Sequence, residues 1–182
     1  MTQLGTTLDR DDLLVVREDH KESGVVTLTL NQPKQFNTLS VEVLSVMQIE
    51  LENVAQDNTI RVVVIQATGK AFCAGHNLKQ MRAHDDEAFH RALFQQCSQM
   101  MLTINRMQQV VIAKVQGIAT AAGCQLVAAC DLAVAADDAK FATSGINVGL
   151  FCSTPAVAVS RNLPRKQAFE MLIWLQSEES SA

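Results

Sequence analysis

The stretch that decides the fold is Gly117-Ile118-Ala119-Thr120-Ala121-Ala122-Gly123-Cys124-Gln125-Leu126-Val127-Ala128-Ala129-Cys130-Asp131. A run of apolar β-formers, Val110 to Val115, leads into it, and an Ala- and Leu-rich helical segment opens at Ala122. Small side chains at a strand-to-helix junction let another group approach the backbone closely. The first N–H groups of a helix have no partner inside it and sit at its positive end. Such a site suits an oxygen that gains negative charge, such as a polarised carbonyl. Tight packing of a buried helix on a sheet explains the same small residues equally well.

Upstream, Leu13 to Arg17 and Val25 to Leu30 read as strands joined by the polar turn Glu18 to Gly24. Asn31-Gln32-Pro33-Lys34-Gln35-Phe36-Asn37 is a loop. Ser40 caps a helix to about Ala55, with Val41, Leu44, Met47, Leu51 and Val54 on its inner face. Arg61 to Gln66 is a strand whose continuous apolar run predicts burial on both faces. Ala71 to Lys79 is a second small-residue loop. A long helix spans about Asp86 to Met107 with Phe89, Leu93, Cys97, Met100, Met101 and Ile104 inward. Ala122 to Cys130 is a helix and Leu132 to Ala135 a strand. Ser144 to Gly149 is a loop, Thr154 caps a helix at Pro155, and Pro164 opens a last helix through Trp174.

Strands alternating with helices predict a layered α/β fold. The domain plan is an extended or disordered arm over residues 1–12, one core domain over 13–175, and a frayed end over 176–182. The chain has 182 residues, 48% hydrophobic and 19% charged, which describes a globular protein with a substantial core. Its net charge of −4 offers no general attraction for nucleic acid or an acidic membrane. The five cysteines include no C-x-x-C pair, which points to a reducing compartment without disulfides or a metal site. No apolar signal core or membrane-length run is present, so a cytoplasmic protein is expected.

The loops Phe72 to Asn77 and Gly117 to Gln125 each follow a buried strand and precede a helix. One backbone N–H from each, converging beyond the strand ends, would form an oxyanion hole. Phe72-Cys73-Ala74-Gly75-His76-Asn77-Leu78-Lys79, followed by Gly117 through Asp131, resembles the paired signature of the enoyl-CoA hydratase/isomerase (crotonase) superfamily. Asn31 through Leu39 is similar to that family's first coenzyme A-contacting loop, and the likeness runs from about Leu13 to Leu172.

The resemblance implies a spiral of β-β-α units, an acyl-CoA thioester ligand of which coenzyme A is a part, and no separate cofactor. It also implies a homo-oligomer, a trimer in the family, and a mitochondrial matrix location if the source is a eukaryote. By the same likeness, the oxyanion donors are the N–H groups of His76 and Ala122. The coenzyme A contacts are Lys34, Phe36, Ala74, His76, Asn77, Leu78, Lys79 and Ala122. Solvated surface charge is the alternative for the two lysines, and a core anchor the alternative for Phe36. The His76 ring is expected to face solvent or a hydrogen-bond partner, with a catalytic acid as the alternative.

The family's two acid/base glutamates align with Gln125 and Gly145. An amide does not exchange protons near neutral pH and glycine has no side chain, so ordinary hydration is not expected. Asp131, Asp137, Asp138, Ser144, Cys124 and the pair His84 and His90 offer no clear substitute base. The family also continues past Leu172, so the ending here reads as truncated or alternatively terminated, with apolar surface left exposed. Three readings follow: thioester chemistry without the hydratase pair, a non-catalytic acyl-CoA binder or regulator, and an inactive remnant.

Overall fold

A computed structural model describes residues 9–173. The arm before residue 9, Trp174 at the end of the expected last helix, and the expected frayed end at 176–182 lie outside them. Strands β1 (Val15–His20) and β2 (Val25–Leu30) form an antiparallel hairpin. A loop holding a 3-10 turn at Pro33–Gln35 then leads to helix α1 (Val41–Gln56). Ser40 caps α1 by accepting from the Val43 N–H, as the sequence predicts.

Strand β3 (Val62–Ala67) returns parallel to β2 and is followed by the short strand β4 (Ala71–Cys73). Helices α2 (Leu78–Ala83) and α3 (Glu87–Arg106) come next. Strands β5 (Val110–Val115) and β6 (Ile118–Thr120) lead to α4 (Ala122–Ala129). Strands β7 (Leu132–Ala135) and β8 (Lys140–Ala142) precede a 3-10 turn at Ser144–Val148, then α5 (Ser153–Asn162) and α6 (Arg165–Ile173).

The strands sort into two sheets. The first strand of each unit joins a five-stranded sheet of order β1-β2-β3-β5-β7, and β4, β6 and β8 form a second, three-stranded sheet. Apart from the β1–β2 hairpin, every strand pairing among the described residues is parallel. Strand, short strand, helix: this repeat is the spiral of β-β-α units. Leu28, Ile65, Val111 and Ala113 of the large sheet are fully buried with Met47 and Leu51 of α1 and Met100 of α3. Asp131 ties β7 to β5, because its carboxylate accepts from the Val111 N–H at 2.8 Å.

Several sequence expectations need correction. Ala71 to Lys79 is not one loop but β4, a turn and the start of α2. Three-residue strands such as β4, β6 and β8 are too short to show a period and exist through pairing with one another. Strand β3 is not buried on both faces: Val63 and Ile65 are buried, while Val62 and Val64 are half-buried. Ser144 to Val148 is a 3-10 turn, and α5 begins at Ser153 without a side-chain cap from Thr154.

The small residues of the Gly117–Asp131 stretch are explained by chain-on-chain contact. A Cβ built on Gly117 would lie 2.1 Å from the Lys70 carbonyl oxygen, and one on Gly123 would lie 2.1 Å from that of Cys73. The segment therefore lies backbone against backbone along β4. Between the two glycines, Ala121 enters α4 with φ 51° and ψ −122°, a conformation alanine rarely adopts. Gly123→Ala is expected to lower stability by about 2 kcal/mol or more, since backbone rather than a side-chain tip must move. Denaturant unfolding measures this, and an unchanged midpoint would contradict the packing.

Candidate active site

The site begins where β4 and β6 end side by side. Gly75 stands at φ 87°, and a Cβ on it would lie 2.9 Å from the Ala121 Cβ and 3.2 Å from the Ala122 nitrogen. The two loops singled out in the sequence are thus in direct contact. The first is held by the Leu39 N–H donating to the Gly75 carbonyl at 2.8 Å and the Ala74 N–H donating to the Phe36 carbonyl at 3.0 Å. The second is held by the Ala121 N–H donating to the Ala142 carbonyl at 3.0 Å. Among the described residues, the N–H groups of His76 and Ala122 have no hydrogen-bond partner.

On the His76 side lies a cavity of about 340 Å³ whose lining includes Lys34, Phe36, Ala74, His76, Asn77, Leu78 and Lys79. The structure therefore brings together the residues expected to meet coenzyme A, except Ala122, which is buried at the head of α4. Phe36 is 57% exposed, so it is not a core anchor. Lys34 and Lys79 are exposed and make no ion pair among the described residues. The Asn77 side chain is already used: its Oδ1 accepts from the Lys79 and Gln80 N–H groups and caps α2.

One residue that positions this cavity carries no obvious chemistry in the sequence. Asn37 is 2% exposed and also sits at positive φ. Its Nδ2 donates to the Thr68 and Ala71 carbonyls at 2.8 Å each, and its Oδ1 accepts from the Gln32 N–H at 2.8 Å. The Lys34–Phe36 turn is thereby fixed between the ends of β3 and β4. An asparagine in a Pro-containing loop was the only available signal.

The His76 ring departs from expectation. Both nitrogens are buried without a hydrogen-bond partner, and the ring meets Phe94 edge-on at 5.2 Å. Burial pushes its pKa below the ordinary value, while the Leu39 carbonyl works more weakly the other way. The neutral form of the imidazole is thereby favoured over the charged one. Gln125 is also buried, 6% exposed, with an unpartnered Oε1.

Several of the other candidates are engaged elsewhere. The Ser144 Oγ accepts from the Thr120 hydroxyl at 2.7 Å. The Cys124 thiol is 3.9 Å from the Met171 sulfur, and burial pushes its pKa up to about 11. Cys73, Cys97 and Cys130 are pushed up to about 12 by the same cause. His84 stacks on Phe89, and the His90 ring meets the His84 carbonyl at 3.0 Å. Among the described residues no group of three His, Cys, Asp or Glu side chains could hold a metal, and no helix is long and apolar enough to cross a membrane.

Comparison with known proteins bears on this geometry. The family model for enoyl-CoA hydratase/isomerase matches residues 20–180. The chain belongs to the enoyl-CoA hydratase/isomerase family. It is 46% identical over 165 residues to enoyl-CoA hydratase domain-containing protein 3, mitochondrial, of Xenopus laevis, covering 91% of this chain and 55% of that protein. The Homo sapiens protein of that name is 47% identical over 149 residues, 82% of this chain and 49% of its own length. The chain thus spans about half the length of these curated relatives.

Solved structures agree. A Mycobacterium smegmatis enoyl-CoA hydratase superposes with a TM-score of 0.86 at 56% identity, covering 90% of this chain and 63% of that one. The human enoyl-CoA hydratase domain-containing protein 3 gives 0.83 at 45% identity, covering 88% and 62%. The crotonase fold is therefore established for this family member.

The lowered pKa of half-buried His76 has a consequence for pH dependence. An unfolded imidazole titrates near about 6.5. As the pH falls below that value, the unfolded chain takes up a proton that the folded chain refuses, so stability is lost progressively down to the lower folded-state pKa of His76, below which the loss is complete. Unfolding measured at pH 7 and pH 5 is expected to show a smaller loss for His76→Phe than for the unaltered protein. Equal losses would contradict the lowered pKa.

Proposed function

We propose that this chain binds an acyl-CoA thioester and polarises its carbonyl between the backbone N–H groups of His76 and Ala122. The carrying observation is that these two N–H groups lack partners on touching loops at the ends of β4 and β6. Backbone donors depend on loop geometry and not on side-chain identity, so histidine at position 76 does not weaken the arrangement. Lys34 and Lys79 would meet the coenzyme A phosphates, and Phe36 and Leu78 its apolar portions. The thioester oxygen would gain negative charge as an enolate or tetrahedral species forms.

Gln125 and Gly145, aligned with the family's acid/base glutamates, favour a second reading in which the chain binds acyl-CoA without turning it over. Binding needs no proton transfer, whereas hydration needs a water-activating base and a proton donor at the α-carbon. Ordinary hydratase activity is not part of the proposal. The vertebrate relatives are named as mitochondrial, and four buried thiols suit a reducing matrix.

Calorimetric titration with butyryl-CoA tests the binding step. Saturable binding is expected, and Lys79→Glu is expected to weaken it about tenfold, the equivalent of about 1.4 kcal/mol. Butyryl-CoA binding by neither protein would overturn the proposal. Equal affinity in both would remove Lys79 from it.

A further inference from the structure

We infer that the space a side chain at position 145 would occupy is closed by the chain itself, so this site excludes a second carboxylate by packing. The inference rests on the site reading proposed above and concerns what that site rejects. A Cβ built on Gly145 would lie 2.7 Å from the Cys152 Sγ and 2.7 Å from the Leu150 carbonyl oxygen. The thiol can swing aside, but the carbonyl belongs to the backbone and moves only with its turn.

The Gly145 end of that turn is held by several hydrogen bonds, although Leu150 itself is exposed. The Leu150 N–H donates to the Gly145 carbonyl at 2.9 Å, and Gly149 reverses the chain at φ 75°. The Thr120 hydroxyl holds Ser144 at 2.7 Å from the strand that leads into α4. The Thr143 hydroxyl donates to the Met171 carbonyl on α6. Gly145 therefore cannot back away without straining contacts with β6 and α6, and moving Leu150 instead breaks its bond to the Gly145 carbonyl. Cys152 and Leu150 are thus the residues that set what position 145 can be. The reactions left open are those that polarise a thioester without an acid at that place.

The sign of one substitution separates this packing from a merely empty position. Gly145 does not stand at positive φ, so in open space Gly145→Ala would raise the melting temperature by restricting the unfolded chain. Closure predicts the opposite: a fall of about 4 °C or more, partly recovered when Cys152→Ala is added. The paired Gln125→Glu, Gly145→Glu variant is expected to melt well below Gln125→Glu alone and to hydrate crotonyl-CoA no faster than the unaltered protein. A Gly145→Ala protein as stable as the original, or a paired variant that gains hydration, would overturn the closure. Butyryl-CoA binding by the unaltered protein is measured alongside: its absence overturns the site reading, while binding with a hydrating paired variant overturns the closure alone.

Discussion

The contact between Gly123 and the Cys73 carbonyl is the constraint on which the rest of the site depends. Backbone meets backbone there, at a separation that leaves no room for a Cβ. The first turn of α4 is consequently fixed against the end of β4. Ala121 takes an uncommon conformation at the entrance, and the Ala122 N–H comes to lie close to Gly75. Strain at such a position persists only where the surrounding packing over-determines it. Here Gly117 on one side and Gly123 on the other supply that packing, and the Ala121 N–H is anchored to β8.

The chemistry can be weighed from the same parts. One well-placed oxyanion donor lowers a barrier by about 3 kcal/mol, and each general acid or base contributes about 10²- to 10⁴-fold. Two backbone donors without an acid/base pair therefore supply a substantial share of what hydration needs, but not all of it. A site of this kind holds and polarises a thioester better than it adds water. Asn37 and the Asn77 cap contribute by fixing the cavity wall.

The long elements were legible because their periods are long enough to read. Helices α1 and α3 show buried positions at the expected spacing, and Ser40 caps where its side chain and position require. The small-residue stretch located the junction of β6 and α4, though it left ligand approach and tight packing equally open. Distances settle that choice for the glycines: Gly117 and Gly123 accommodate backbone, not ligand. The three-residue strands were not legible, since pairing across the spiral creates them. The burial of the His76 ring against Phe94 was also hidden, because it depends on α3 folding back over a loop eighteen positions away in sequence. Nor does a lone glycine at position 145 reveal the Leu150 carbonyl that faces it.

The central claim is that two backbone N–H groups polarise a thioester carbonyl. Infrared difference spectroscopy of butyryl-CoA carrying a carbon-13 label at the thioester carbonyl reads that polarisation directly. Ala122→Pro removes one donor at the first position of α4. Because the Ala121 conformation is one that a following proline disfavours, the melting temperature and circular dichroism of the variant are measured alongside. The account predicts a carbonyl stretch that shifts to lower frequency on binding the unaltered protein, with a distinctly smaller shift on Ala122→Pro. A bound thioester whose stretch matches that in water, or shifts equally in both proteins, would contradict it.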